Sequence, residues 1–243
     1  MGSELKLPRV RAVWGALLHW RHRLFHAHRY RLPRIEHTET MTLLMLPEVF
    51  NGVLLRSGGF FARVLDRDLI PTGARVLDLG TGSGIVAIRA AQLGASVIAV
   101  DTNPDAVRCA RINVLLNRVE DSVEVREGDL FAPVVAERFD RIMFNPPFFR
   151  QAPRNGPDAA WRATDVFDRF LAGLDGMLTP RGCALVLLSS HGDLLPALKK
   201  AGAGGWKVTA AANRDMLNEV FTLYFLEREV PLSIKLEREQ GES

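Results

Sequence analysis

The chain has 243 residues, 47% of them hydrophobic and 24% charged, and this composition excludes a disordered protein. The length allows one domain with a large core and short appendages, and no apolar run reaches the ~20 residues that a membrane span needs. The two cysteines, Cys109 and Cys183, lie far apart, which argues against a disulfide scaffold or a paired-cysteine zinc site. We therefore expect a cytoplasmic protein. We expect no metal site, because His22 and His26 lack a third partner at metal-ligand spacing.

The positive charge is concentrated at the N-terminus. Residues 1–34 carry eight basic residues and one acidic residue, whereas the rest of the chain carries 23 basic and 27 acidic residues. Apolar residues from Val10 to Phe25 follow helical spacing after Pro8, with arginines and histidines opposite, which predicts a basic amphipathic helix. This helix could cap the body, dock to RNA, a ribosome or anionic lipid, or target an organelle.

Strand and helix patterns alternate from residue 74 onward. Strands are predicted at residues 74–79, 96–101, 123–126, 139–144, 183–189, 206–211 and 219–226. Helices are predicted at residues 85–93, 104–117, 166–178 and 194–201. This alternation predicts an α/β fold, a doubly wound Rossmann-like and mostly parallel sheet with helices on both faces. We divide the chain into a basic helical extension (residues 1–46), the sheet domain (residues 47–230) and a polar tail (residues 231–243).

A glycine-rich turn follows the first predicted strand. Gly80, Thr81, Gly82 and Gly84 belong to a strand-to-helix turn in which the backbone can approach a ligand closely. The G-x-G-x-G spacing differs from the G-x-G-x-x-G fingerprint that places a pyrophosphate on a helix N-terminus. It favours a ligand without phosphates. Asp78 is then placed to bind a cationic amino group, or alternatively to accept a hydrogen bond from its own turn.

Two further acidic residues follow the next two predicted strands. Asp101 ends the second strand and can accept both hydroxyls of a ribose, and Thr102 begins the loop after it. Asp129 follows the third strand and can accept a hydrogen bond from an adenine amino group, with Leu130 beside the base. Because parallel strands end at one edge of a sheet, we expect these residues and the glycine turn to line one nucleoside-binding site.

The sequence Asn145-Pro146-Pro147-Phe148 directly follows the fourth predicted strand, which we expect beside the first. The Asn145 side-chain oxygen and the Pro146 carbonyl could accept both protons of a conjugated –NH2 group and fix its lone pair toward a methyl donor. Such acceptors also stabilise positive charge that develops on nitrogen. The Phe148 ring could stack on a flat amide or base. This turn therefore predicts N-methylation of a planar amide or amine.

These residues together resemble class I methyltransferases with an N-P-P-F/Y catalytic motif, and the chain is most similar to the HemK-type protein-glutamine N5-methyltransferases. The resemblance covers roughly Pro47–Leu226. Similarity to the archaeal and eukaryotic release-factor branch comes from Asp158–Arg162, Asp168–Leu171, Leu178–Gly182 and Leu187–Ser190. The resemblance implies S-adenosylmethionine as cofactor, S-adenosylhomocysteine as product, Asn145 as substrate anchor, and a seven-stranded sheet with an antiparallel last strand.

The chain departs from that family pattern at two places. The branch usually carries an E-D-S/T motif upstream of the cofactor loop, but residues 51–60 contain no acidic residue, and Ser57 is the candidate for the motif's hydroxyl. Phe148 also stands where the glutamine enzymes commonly have Tyr. The reaction type is unaffected by these differences, whereas the substrate stays open.

Four functions are compatible with the sequence. The first is methylation of a glutamine or another side-chain amide in a translation factor or other protein. The second is methylation of an exocyclic adenine or guanine amine in RNA or DNA, with the basic extension holding phosphates. The acidic body argues against this second reading. The third is a biosynthetic small-molecule N-methyltransferase, and the fourth is a catalytically silent scaffold that stabilises a partner. We rank the protein amide first.

Overall fold

The computed structural model describes residues 32–47, 49, 57–149, 163–216 and 219–229. The predicted basic helix, residues 51–56, the Asp158–Arg162 stretch and the predicted polar tail lie outside the described residues. Within the described ranges, no helix has both the length and the apolar character to cross a membrane.

Nine strands and five α-helices form within these ranges. The strands are β1 (Arg34–His37), β2 (Thr42–Met45), β3 (Arg75–Leu79), β4 (Ser96–Asp101), β5 (Val123–Glu127), β6 (Phe139–Phe144), β7 (Leu178–Ser189), β8 (Trp206–Asp215) and β9 (Val220–Arg228). The helices are α1 (Ser57–Val64), α2 (Ile85–Gln92), α3 (Pro104–Leu116), α4 (Val166–Leu174) and α5 (Leu195–Ala203). The predicted alternation of strands and helices is confirmed.

Seven of the described strands form one sheet in the order β5-β4-β3-β6-β7-β9-β8. The strands from β5 to β7 are parallel, whereas β9 is antiparallel to both of its neighbours. The predicted Rossmann-like fold and its antiparallel last strand are therefore confirmed. From β3 the chain builds outward to β5 and then returns to β6 on the other side of β3. Ligands bind such sheets at this switch point, beyond the carboxyl ends of the strands.

The central strand β3 is buried on both faces, as expected for a parallel strand covered by helices on each side. Because side chains alternate along a strand, Val76 belongs to one core and Leu77 to the other. The core that contains Val76 is closed by α1, α2 and α3. The opposite core is closed by α4 and α5, where Phe170 is fully buried. These two layers hold the strand ends of β3 and β6 in place.

The strands β1 and β2 form an antiparallel hairpin that packs against α3. In β2, Leu43 and Met45 point into the core, and backbone groups of Thr42 and Leu44 bond to side chains of α3. Residues 34–45 belong to the region predicted as a helical extension, so that prediction is wrong for this part of the chain. The burial of every second residue in β2 explains why strand is the preferred conformation there.

The helix predicted at residues 166–178 is shorter in the structure. It ends at Leu174, a 3₁₀ turn covers Asp175–Met177, and β7 begins at Leu178, five residues before the predicted start. The register between β6 and β7 moves from Phe139↔Leu178 to Arg141↔Cys183, so residues 179–182 bulge from the ladder. Pairing with β6 therefore overrides the helical pattern at Leu178. Helix α1 was not predicted from the sequence.

Candidate active site

A cavity of about 360 Å³ opens at the switch point between β3 and β6. Its wall is built from the turns that follow β3, β4, β5 and β6. Eleven of the twelve predicted site residues line it, namely Asp78, Gly80, Thr81, Gly82, Asp101, Thr102, Asp129, Leu130, Asn145, Pro146 and Phe148. Because the parallel strands end at the same edge of the sheet, residues that are far apart in the sequence lie together here.

Gly84, the twelfth predicted residue, is the N-cap of α2, between the lining residues Ser83 and Ile85. Its φ of +81° belongs to the left-handed region, and a Cβ there would lie 3.3 Å from both Cα and Cβ of Ala110 on α3. Glycine at this position lets the turn and α3 approach closely. The prediction that Gly84 borders the ligand stays a prediction.

Asp78 is buried at the end of β3, with 3% of its surface exposed. The pKa of its carboxyl group is raised to about 7, mainly by burial and to a lesser extent by the nearby charge of Asp101. The Thr81 hydroxyl donates a 2.7 Å hydrogen bond to Asp78, which partly offsets the effect of burial. A cationic group in the cavity would favour the ionised form of Asp78. The predicted role in binding an amino group stays a prediction, and the predicted bond within its own turn is observed.

Asp101 holds the glycine turn against the start of α3. One carboxylate oxygen accepts a hydrogen bond from the Gly82 backbone N–H at 2.8 Å, and the other accepts from the Asn103 N–H at 2.9 Å. Asn103 in turn caps α3 by accepting from the backbone N–H of Asp105 at 3.0 Å. Burial raises the pKa of Asp101, and the backbone hydrogen bonds lower it. Asp101 therefore orders the turn in addition to facing the cavity.

Asp129 lies at a more exposed part of the cavity wall and forms an ion pair. Its carboxylate is 2.6 Å from the Arg169 guanidinium on α4, which also bonds to Asp165 at 3.1 Å. The neighbouring Leu130 has a φ of +47° and packs on the core closed by α4 and α5. Arg169 was not predicted as a site residue, because no local sequence pattern links α4 to the loop after β5.

Asn145 lines the cavity and carries a buried acceptor. Its side-chain oxygen Oδ1 is buried and has no hydrogen-bond partner among the described residues. Its amide nitrogen is 3.4 Å from the hydroxyl of the fully buried Ser57 at the start of α1. Ser57, the predicted hydroxyl position, thus lies beside the predicted substrate anchor. Buried polar atoms are paired as a rule, so an unpaired acceptor in a cavity is a candidate ligand contact.

The turn that carries Asn145 is held by backbone hydrogen bonds. The Phe148 carbonyl accepts from the Asp193 N–H at 3.0 Å, and the Phe149 carbonyl accepts from the Ala163 N–H at 3.0 Å. The Phe148 ring is 3% exposed and lies 6.0 Å from the Phe221 ring in a tilted arrangement. The ring contributes to the cavity wall from within the core. Its predicted stacking on a substrate stays a prediction.

The residues of the cavity fit S-adenosylmethionine. A nucleoside with an attached amino acid needs acceptors for hydroxyl, amino and ammonium groups, and three carboxylates end successive strands here. A glycine turn lets the ligand approach the backbone, and the Asn145 acceptor lies at the strand end next to β3. The donor set is therefore compatible with this cofactor.

Residues 40–212 match the family model described as "Methyltransferase small domain". The chain belongs to this methyltransferase family. The predicted enzyme class, an S-adenosylmethionine-dependent methyltransferase, is confirmed, and so is the predicted cofactor.

Relatives of this methyltransferase act in different settings. The chain is 37% identical over 134 residues to a ribosomal protein L11 methyltransferase from Heliobacterium modesticaldum, covering 52% of this chain and 42% of that relative. It is 32% identical over 146 residues to a putative protein N5-glutamine methyltransferase from Methanocaldococcus jannaschii, covering 56% of this chain and 73% of the relative. The second match confirms the resemblance to protein-glutamine methyltransferases. The chain thus spans less than half of the L11 enzyme.

A solved structure shows the same fold. The 16S rRNA N2 methyltransferase of T. thermophilus, in complex with AdoMet and guanosine, superposes with a TM-score of 0.65 at 22% identity. The superposition covers 82% of this chain and 51% of that chain.

Proposed function

We propose that this methyltransferase transfers a methyl group to the –NH2 nitrogen of a planar amide, with the side chain of a protein glutamine as the first candidate. Asn145 belongs to the cavity wall, and its buried Oδ1 has no hydrogen-bond partner among the described residues; this observation carries the proposal. An acceptor without an internal partner is suited to a ligand that brings N–H donors.

The carboxylates at the strand ends would hold the donor. Asp78 would face the ammonium group of S-adenosylmethionine, Asp101 its ribose hydroxyls, and Asp129 with Leu130 its adenine. When bound, S-adenosylmethionine supplies an electrophilic methyl group on a sulfonium centre. The Asp78–Thr81 hydrogen bond fixes the carboxylate at the end of β3, where the donor needs it.

The turn after β6 would hold the acceptor. Asn145 Oδ1 and the Pro146 carbonyl would each accept a hydrogen bond from one N–H of the substrate and so direct the nitrogen lone pair into the cavity. Positioning of this kind supplies a large part of the rate of an in-line displacement. The two acceptor dipoles also stabilise the positive charge that develops on nitrogen. Because Pro146 has no backbone N–H, it offers the substrate an acceptor without a competing donor.

Two observations support a protein substrate. The glutamine methyltransferase from Methanocaldococcus jannaschii is 32% identical, with 73% of its length covered. The chain after residue 34 also carries more acidic than basic residues, which disfavours a phosphate-binding surface.

An exocyclic base amine is the second candidate. It is supported by the structural similarity to an enzyme named for the N2 position of 16S rRNA and by the basic N-terminal segment. A base amine and a side-chain amide share planar geometry, so the same turn would serve both.

The test uses tritiated S-adenosylmethionine and total lysate, with wild-type protein and Asn145→Ala compared side by side. Protease-sensitive and nuclease-resistant label that depends on Asn145 supports the proposal. A follow-up compares a glutamine peptide with the same peptide carrying asparagine. If nuclease treatment removes the label, the methyl acceptor is a base amine and not a protein amide. Calorimetry with S-adenosylmethionine, S-adenosylhomocysteine and NAD tests the donor site separately.

A further inference from the structure

Asn113 is a fully buried polar side chain in the last turn of α3. Its Oδ1 accepts a hydrogen bond from the Leu44 N–H at 2.6 Å, and its amide nitrogen donates to the Leu44 carbonyl at 2.9 Å. The same nitrogen donates to the Ser83 carbonyl, also at 2.9 Å. Leu44 lies in the N-terminal hairpin, and Ser83 lies in the glycine turn of the cavity. One side chain therefore joins the hairpin to the turn.

The glycine turn depends on contacts from outside for its position. Glycine-rich backbone has many accessible conformations, so a fixed geometry requires external bonds. Asp101 supplies one such bond through the Gly82 N–H, and Asn113 supplies another through the Ser83 carbonyl. The close approach of Gly84 to Ala110 places α3 directly against the turn. Preorganisation of this kind increases ligand affinity, because less ordering remains to be done on binding.

Asn117, the C-cap of α3 four residues after Asn113, provides a natural comparison. Its Oδ1 accepts from the Thr42 N–H at 3.2 Å, and its amide nitrogen donates to the carbonyls of Thr42 at 2.8 Å and Asn113 at 2.7 Å. Asn117 therefore binds the backbone of β2 in the same way as Asn113. Its amide bonds stay within the hairpin and α3, whereas those of Asn113 extend to the turn.

We propose that Asn113 is a positioning residue for the methyl donor, which couples attachment of the N-terminal hairpin to the geometry of the glycine turn. The inference rests on the proposed donor site. It assigns to Asn113 a function in donor affinity beyond its part in holding the hairpin. Replacing Asn113 leaves the Ser83 carbonyl and both backbone groups of Leu44 without this partner, so the turn loses one of the two bonds that Asp101 and Asn113 supply.

The experiment compares Asn113→Ala with Asn117→Ala. Both variants remove an asparagine side chain that bonds to the backbone of β2, so thermal unfolding should show a lower Tm for both. We expect calorimetric titration with S-adenosylmethionine to give a Kd at least ten-fold higher for Asn113→Ala and within two-fold of wild type for Asn117→Ala. In turnover, KM for the donor should rise for Asn113→Ala while kcat stays within a few-fold.

The variant Asn113→Ser places an uncharged hydroxyl at this buried position and tests the inference where alanine prevents folding. A single hydroxyl donates one hydrogen bond, so it cannot serve the carbonyls of both Leu44 and Ser83, and we expect a rise in Kd in the same direction. Amide hydrogen exchange of the ligand-free protein should be faster at Gly82 and Gly84 in both Asn113 variants than in Asn117→Ala.

Two results would overturn the inference. An equal loss of donor affinity in the Asn113 and Asn117 variants would assign the effect to the hairpin as a whole. If the Asn113 variants keep the donor affinity and the amide hydrogen exchange rates of wild type, Asn113 has no function in positioning the turn. Failure of the proposed function gives a different result, because wild-type protein would then bind no donor, or bind donor and methylate no amide.

Discussion

Replacing Asn145 by alanine should separate activity from stability. The change removes the acceptor that the proposed substrate needs, and it also removes a buried oxygen that has no partner among the described residues. Activity should therefore fall while stability stays constant or rises. A substitution that lowers activity but raises stability is typical of a side chain that is retained for function.

The magnitudes follow from the contacts of Asn145. Loss of one preorganised polar group at a reacting centre lowers kcat by about 10²–10³-fold. A buried polar atom without a partner costs about 1–3 kcal/mol, and the lost 3.4 Å contact to Ser57 lies beyond ordinary hydrogen-bond length. The small void left by alanine costs about 1 kcal/mol. The net change in the free energy of unfolding should lie between zero and a gain of about 2 kcal/mol. At about 2–4 °C per kcal/mol, this corresponds to an increase in Tm of at most about 8 °C.

Three measurements test this reasoning: methyl transfer at saturating donor, calorimetric donor affinity, and thermal unfolding. Donor affinity should stay within a few-fold of wild type, because Asn145 is assigned to the acceptor. The exposed Asn213 on β8 provides the control, and Asn213→Ala should change none of the three quantities. A loss of stability above about 1 kcal/mol in Asn145→Ala, or an equal loss of donor affinity and turnover, would refute the assigned role.

The remaining predictions concern the donor side of the cavity. Burial raises the pKa of Asp78 from 3.8 to about 7, so the folded protein binds a proton at this carboxyl group that the unfolded chain has already lost. The free energy of unfolding should therefore fall by up to about 4 kcal/mol as the pH rises from 4 to 7. Asp78→Asn should flatten this slope in denaturant titrations and weaken donor binding, and an unchanged slope would show that Asp78 ionises normally. Gly84→Ala should lower the free energy of unfolding by about 1–2 kcal/mol, because alanine is strained at a φ of +81°. It should also weaken donor binding, because the added Cβ moves the turn away from Ala110. A stability equal to wild type would contradict this prediction. Asp101→Ala should raise the donor Kd at least ten-fold in calorimetry, because the Gly82 and Asn103 N–H groups lose their acceptor. Unchanged affinity would remove Asp101 from the donor site.

The sheet could be predicted because its strands and helices carry strong local signals. The strand Ser96–Asp101 is apolar along its buried stretch, and the helix Pro104–Leu116 has Pro at its first position, so these elements agree with prediction to within one residue. The β1–β2 hairpin gives no comparable signal. Its strands have four residues each, and its attachment depends on Asn113 and Asn117, about 70 residues away in the chain.

Helix α1 likewise has no strong local sequence signal. It contains Gly58 and Gly59, which are poor helix formers, and its stability comes from burial of Phe60 and Phe61 in the core. The cavity wall was predictable, since parallel strands end at one edge. The Arg169–Asp129 pair was not, because it joins α4 to a loop 40 residues earlier. The basic charge of Arg169 is visible in the sequence, whereas its partner is fixed only by tertiary packing.

Features that lower stability coincide with the cavity. Burial, together with the charge of Asp101, raises the pKa of Asp78 to about 7, and Asn145 holds a buried acceptor without a partner among the described residues. A sequence selected for stability alone would replace each by a neutral or smaller side chain. Their positions at the ends of β3, β4 and β6 place all three around one volume. A cationic donor would offset the buried charge, and an N–H-bearing acceptor would satisfy Asn145. These unfavourable groups are therefore complementary to the two substrates of a methyl transfer. For this reason, we expect binding of both substrates together to stabilise the protein more than binding of either one alone.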